Sequence, residues 1–163
     1  MENICVVVAD GRGARVFLLQ GSDAPRAPVK LVEHDTLSNA DLRSRGRSVT
    51  GRVRTETNTN REAGPVHPMG AQRERHRIEL ERRFSTEVAR KAATLARNWA
   101  TGSVVLVADP HMLGFLREAV RAALKPEIQV KELAKDYARL TASRLRDQLA
   151  EDGIVPAHDG GAL

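Results

Sequence analysis

Two aspartates stand directly after apolar runs. Asp10 follows Ile4 to Ala9, and Asp109 follows Val104 to Ala108. If these runs are neighbouring parallel strands, both carboxylates occupy one edge of a sheet. Glu79 or Glu81, with His111 close to Asp109, would add further ligands. Paired carboxylates at a strand edge are what two-metal phosphoryl chemistry requires. Both aspartates also have local uses. Asp10 is the natural first residue of an Asp-Gly turn, and Asp109 before Pro110 is a natural N-cap. A metal-dependent nuclease using Asp10 and Asp109 is thus one alternative, set against an expectation of no bound metal or cofactor. His34, His67, His76, His111 and His158 show no metalloprotease spacing. No Ser or Cys sits in a nucleophile elbow, and Cys5 falls inside an apolar run, as a core residue would. Gly11-Arg12-Gly13 joins two strands, so no helix N-terminus faces an anion there.

A further candidate lies later in the chain. His67-Pro68-Met69-Gly70-Ala71-Gln72 precedes Arg73-Glu74-Arg75-His76. A Gly-Ala-Gln tip on a basic loop would present a neutral amide near an ester while arginines hold phosphates. The plainer alternative makes Gly70 a loop residue and Gln72 an ordinary first-turn helix residue. Charge is concentrated here. The chain carries 26 basic and 21 acidic residues, a net +5. Between Asp41 and Arg77 there are nine arginines (Arg43, Arg45, Arg47, Arg52, Arg54, Arg61, Arg73, Arg75 and Arg77) against four acids, so this segment holds the whole excess. Arg outnumbers Lys 21 to 5. Arg grips phosphate bidentately and stacks on bases, though Arg-rich codon usage would produce the same bias.

The elements that must position these residues follow from periodicity. Asn3 to Ala9 reads as a buried strand, Asp10 to Gly13 as a turn with two glycines available for φ > 0, and Ala14 to Gln20 as the return strand. Val29 to His34 is a third strand. Residues 38–70 lose all apolar period, and a loop of that length in a compact domain is functional or mobile. From about Ala71 a long helix places Leu80, Phe84, Val88, Ala92, Leu95 and Trp99 on one stripe, with Gly102 as its stop. Ser103 to Ala108 is a buried strand, and Leu113, Leu116, Val120 and Leu124 mark a second helix closed by Pro126. Ile128 to Leu133 is a half-buried strand. Thr141 caps a third helix, with Leu140 and Leu145 as a hydrophobic staple. Gly153 to Leu163 reads as a frayed tail. The order β-β-β-α-β-α-β-α predicts an α/β fold: one mixed five-stranded sheet, helices on both faces, ribonuclease-H-like, in a single domain over 1–152.

Three stretches carry a family resemblance: VVADGRGARVFLL, VVLVADPHMLGFLREAV and ELAKDYARLTASRLRDQL. They resemble the bacterial host attachment protein family, described as required for attachment to host cells, from about Asn3 to Leu149. That family is similar to the central domain of archaeal and eukaryotic peptide-chain release factors and of the ribosome-rescue protein pelota. The resemblance implies a ribonuclease-H-like fold and a translation-associated role. In those factors a Gly-Gly-Gln loop before the long helix promotes peptidyl-tRNA hydrolysis, and the matching place here holds Gly70-Ala71-Gln72. Ala71 replaces the second glycine, and its β-carbon disfavours φ > 0 and obstructs close backbone approach to RNA. No codon-reading domain fits in this length.

The expected function is RNA or ribosome binding through the Arg-rich segment. A peptidyl-tRNA hydrolase using Gln72, the nuclease and a cell-attachment factor are the alternatives, and whether the chain is an enzyme is left open. The apolar runs are too short to span a membrane, and the N-terminus has no secretory pattern. One cysteine excludes a disulfide framework. A cytoplasmic protein without membrane partners is expected.

Overall fold

The computed structural model describes residues 2–21, 29–39 and 67–156. Its elements are β1 (Ile4–Ala9), β2 (Gly13–Gln20), β3 (Lys30–Ser38), α1 (His67–Ala96), β4 (Gly102–Val107), α2 (Pro110–Ala123), β5 (Ile128–Leu133) and α3 (Ala142–Glu151). They form an α/β fold around one five-stranded mixed sheet of order β3-β2-β1-β4-β5. β1, β2 and β3 make an antiparallel meander. β4 runs parallel to both β1 and β5.

Every residue of β1 and β4 is buried, so both sheet faces need cover. On one face Cys5, Val7, Val104 and Leu106 meet Phe84, Val88 and Ala92 of α1 and Leu113, Leu116 and Val120 of α2. On the other, Val6, Val8, Phe17 and Val107 meet Leu145 and Leu149 of α3. α1 and α2 share a face because two right-handed crossovers moving the same way along a sheet put their helices on the same side.

The caps match their sequence signatures. Asp109 accepts from the Met112 N–H at 2.9 Å with Pro110 opening α2, and Thr141 accepts from the Arg144 N–H at 3.2 Å. Leu140 and Leu145 pack in the same core, as a staple requires.

Several boundaries differ from the sequence expectations. β3 continues to Ser38 rather than stopping at His34. It is an edge strand whose polar residues face outward, and ion pairs from Glu33 to Arg15 and from Asp35 to Lys91 satisfy them. Polar alternation of this kind hides a strand from an apolar-period search. α1 begins at His67, ahead of Ala71, because Pro68 lies in its first turn, where a missing N–H costs nothing. The rest of the predicted 38–70 loop, residues 40–66, lies outside the described residues.

Gly102 does not stop α1, which ends at Ala96. Gly102 begins β4 instead, and Trp99 reaches the core from beyond the helix. A β-carbon at Gly102 would lie 2.7 Å from the Asn3 carbonyl oxygen and 2.8 Å from the Trp99 ring. Nor does the first turn use positive φ at Gly11 or Gly13. Gly13 is needed because a β-carbon there would sit 2.6 Å from the Leu37 carbonyl oxygen. The expected frayed tail packs at its start: Val155 is buried after Gly153 turns the chain at φ 75°. Residues 157–163 lie outside the described residues.

The contact at Gly102 gives a direct test. Gly102→Ala overpacks the start of β4 and is expected to cost about 1–3 kcal/mol in urea unfolding. A cost near zero would mean that Asn3 and Trp99 move aside freely.

Candidate functional site

The sheet topology gathers the sequence candidates at one edge. β1, β3 and β4 are mutually parallel in direction, so Asp10, Asn39 and Asp109 follow their strands at the same side. The β1–β2 turn closes there. The Asp10 carboxylate accepts from the N–H groups of Arg12 at 2.8 Å and Gly13 at 3.0 Å. Buried Asn39 is tied to this turn through its N–H, which donates to the Arg12 carbonyl at 2.9 Å.

Two contacts orient the helices. Glu81 of α1 meets His111 at the start of α2, while Lys125 after α2 donates to the Arg97 and Trp99 carbonyls after α1. α1 and α2 therefore run side by side in the same direction, both starting at the edge where β1 and β4 end. Ligand crevices of open α/β sheets lie at this edge, where the strand order switches direction.

Glu81 is the chemically distinctive residue of the edge. Its side chain is only 5% exposed, yet it is a carboxylate. His111 Nε2 lies 2.9 Å from one of its oxygens and Arg77 Nε 3.5 Å from the other. The His111 ring stands edge-on to Phe115, with centroids 5.2 Å apart, and the Arg82 guanidinium lies 5.8 Å from the Phe115 centroid. Helical phase accounts for the choice between the two glutamates. Glu81 shares the flank of Phe84 and Val88, three and seven residues on. Glu79 points outward and pairs with Arg82 and Arg83. The aromatic platform of Phe115 had no sequence signal beyond ordinary helix composition.

The nuclease constellation does not assemble into a ligand set. Among the described residues no group of three or more His, Cys, Asp or Glu could hold a metal ion. The structure gives Asp10 and Asp109 the turn and cap roles that their local sequence suggests. Cys5 lies in the core, and burial pushes its thiol up to about 12, far from nucleophilic use.

The N-terminal part of α1 extends past the sheet. From Gly70 on, Leu80 is the first buried residue, and from Gly70 to Glu79 only Arg73, His76, Ile78 and Glu79 are half-buried. These ten residues make about 15 Å of helix. They carry Arg73, Arg75 and Arg77. Arg77 leans on Glu81, while Arg73 and Arg75 have no ion pair with any described residue. Gly70, Ala71 and Gln72 are helical and exposed at the outer end of this overhang. A β-carbon at Gly70 would meet nothing within 4 Å. The remaining predicted arginines, Arg43, Arg45, Arg47, Arg52, Arg54 and Arg61, lie outside the described residues. Both described ends that flank residues 40–66, Asn39 and His67, belong to this edge.

Compared with known families, residues 5–149 match the model of one described as "Protein required for attachment to host cells". No curated protein matches the chain.

The local roles of the aspartates can be measured. Asp109→Ala should cost about 1 kcal/mol, and Asp109→Asn only a few tenths, because Asn still caps. Mn²⁺ should leave the unfolding midpoint of the unsubstituted protein unchanged. A rise with Mn²⁺ that Asp10→Asn abolishes would restore the metal reading.

Proposed function

The chain belongs to the family of proteins required for attachment to host cells, and from that premise we propose that it is a release-factor-like module that binds RNA or the ribosome through its Arg-rich segment. The observation that carries this reading is the overhang of α1. It carries Arg75 and Arg77 exposed and Arg73 half-buried ahead of Leu80, where a long polyanion can approach them. The overhang emerges at the same edge as Asn39, the last described residue before the Arg-rich segment. Arg is the residue suited to phosphate and to stacking on exposed bases. The strand order β3-β2-β1-β4-β5 with its antiparallel first three strands supports a ribonuclease-H-like assignment, the architecture of the release-factor central domain.

A hydrolytic role for Gln72 is the second reading, and its support is position: an exposed amide near the outer end of the overhang. Its weakness is Ala71, whose β-carbon takes up space that glycine would leave for RNA backbone. Gln72 would act by orienting water, a positional effect. On that reading Ala71→Gly raises peptidyl-tRNA hydrolysis and Gln72→Ala abolishes it.

The test is the salt dependence of binding to a ribosomal RNA fragment. Each single-strand phosphate neutralised contributes roughly −0.7 to the slope of log K against log salt. Replacing Arg73, Arg75 and Arg77 by Ser should reduce the steepness by about 2 without changing the unfolding midpoint. Replacing Arg43, Arg45, Arg47, Arg52 and Arg54 by Ser should flatten it further. An unchanged slope in both variants would remove RNA binding by this edge. Exposure of the protein on intact cells, read by protease shaving, would favour the cell-attachment reading.

A further inference from the structure

The opposite edge of the molecule carries a second, separate set of cations. There α1 and α2 end and β5 begins. The Lys125 ammonium binds the Arg97 carbonyl at 3.1 Å and the Trp99 carbonyl at 2.6 Å, holding the two helix ends at a fixed spacing. Between them lies a groove of about 460 Å³, with Ala93, Ala123, Leu124 and Ile128 in its lining. It continues into a shallower depression of about 320 Å³ that shares Leu124, Lys125 and Ile128 and reaches Arg121.

The rim is basic. Arg90, Arg97 and Arg121 are exposed, and their guanidinium groups make no ion pair with any described residue. No carboxylate lines either depression. Glu132 lies in the field of Arg121, but Arg117 already holds both its oxygens at 2.6 and 2.8 Å. A surface with three guanidinium groups unpaired among the described residues around an apolar floor is complementary to an anionic partner with an apolar stem.

We propose that this groove docks an acidic amphipathic helix of a partner protein. Arg90 lies in the last turns of α1 and Arg97 one residue past its end, and both stand on the rim of the groove. A partner helix with two carboxylates seven residues apart presents both on one face, and each guanidinium can take one bidentately. Between them the floor of alanines, Leu124 and Ile128 accepts an aliphatic side chain from the same face of that helix. No aromatic residue lines the groove. Single-stranded RNA, which binds by stacking its bases on such platforms, is therefore the poorer fit here. The two ends of the molecule then divide the work: nucleic acid at the carboxyl edge, an acidic protein segment at the other. This assignment does not rest on the RNA reading.

Fluorescence anisotropy with the full chain tests it. The probe is a labelled, stapled helical peptide with two Glu residues seven apart and Leu between them. It should bind, and the Arg90→Ser/Arg97→Ser double variant should weaken binding about tenfold, or 1.4 kcal/mol. Both positions are exposed, so the variant should fold, which its unfolding midpoint checks. The Arg73→Ser/Arg75→Ser/Arg77→Ser variant should bind the peptide as tightly as the parent, which separates this site from the RNA edge. The proposal is overturned if the double variant binds equally well, if the Glu→Gln peptide binds equally well, or if the peptide fails to bind. It is also overturned if an oligouridylate occupies the groove through the same arginines in preference to the peptide.

Discussion

The parallel pairing of β1 with β4 determines where every other part of this molecule goes. Both strands are buried along their whole length, so neither sheet face can be left to water. Parallel neighbours also demand long crossovers, and those crossovers are right-handed. α1 and α2 must then lie on one face, starting where β1 and β4 end. α3 has to close the other face, with Leu145 and Leu149 against Val6, Val8 and Val107. The helix starts, the Asp10 turn and the flanks of the Arg-rich segment meet at one edge as a consequence. The site is a product of topology before it is a product of any side chain.

That edge separates polar groups held by the fold from charges that stand outside it. Asp10 and Asp109 are spent on backbone N–H groups. Glu81 is buried, and His111 and Arg77 satisfy it, which is what makes a carboxylate tolerable between two packed helices. Arg73 and Arg75, without an ion pair to any described residue, stand further out, on a stretch of α1 in which no residue from Gly70 to Glu79 is fully buried. A helix of 30 residues is longer than this sheet requires, and its surplus turns carry Arg73, Arg75 and Arg77. Isolated, such turns would be marginal. They persist as the continuation of a helix anchored by Leu80, Phe84 and Val88.

Much of this was legible in the sequence because the signals were strong and local. Valine-rich runs, the Asp-Pro cap, the Thr141 cap and the stripe from Leu80 to Ala92 each named an element correctly, and their order implied the mixed sheet. The failures have physical causes. β3 was read short because an edge strand with ion-paired polar residues lacks an apolar period. Gly102 looked like a helix stop, but it is glycine because the Asn3 carbonyl and the Trp99 ring leave no room for a β-carbon. Gly70 suggested a loop, yet an exposed glycine costs a helix only about 1 kcal/mol, and α1 runs through it. At the site, sequence named Glu81 only as one of two choices, since burial of a glutamate depends on helical phase. The basic groove between Arg90, Arg97 and Arg121 left no sequence mark, because its residues come from two helices and a turn.

The most direct measurement of the central claim is ultraviolet crosslinking of the full chain to ribosomes, with the crosslinked peptides mapped by mass spectrometry. If RNA is read at the carboxyl edge, crosslinks concentrate in the peptides of residues 70–83 and spare those of α3. Crosslinks that fall mainly on α3 or on the β5 edge, or none above the level of an unrelated basic protein, would contradict it.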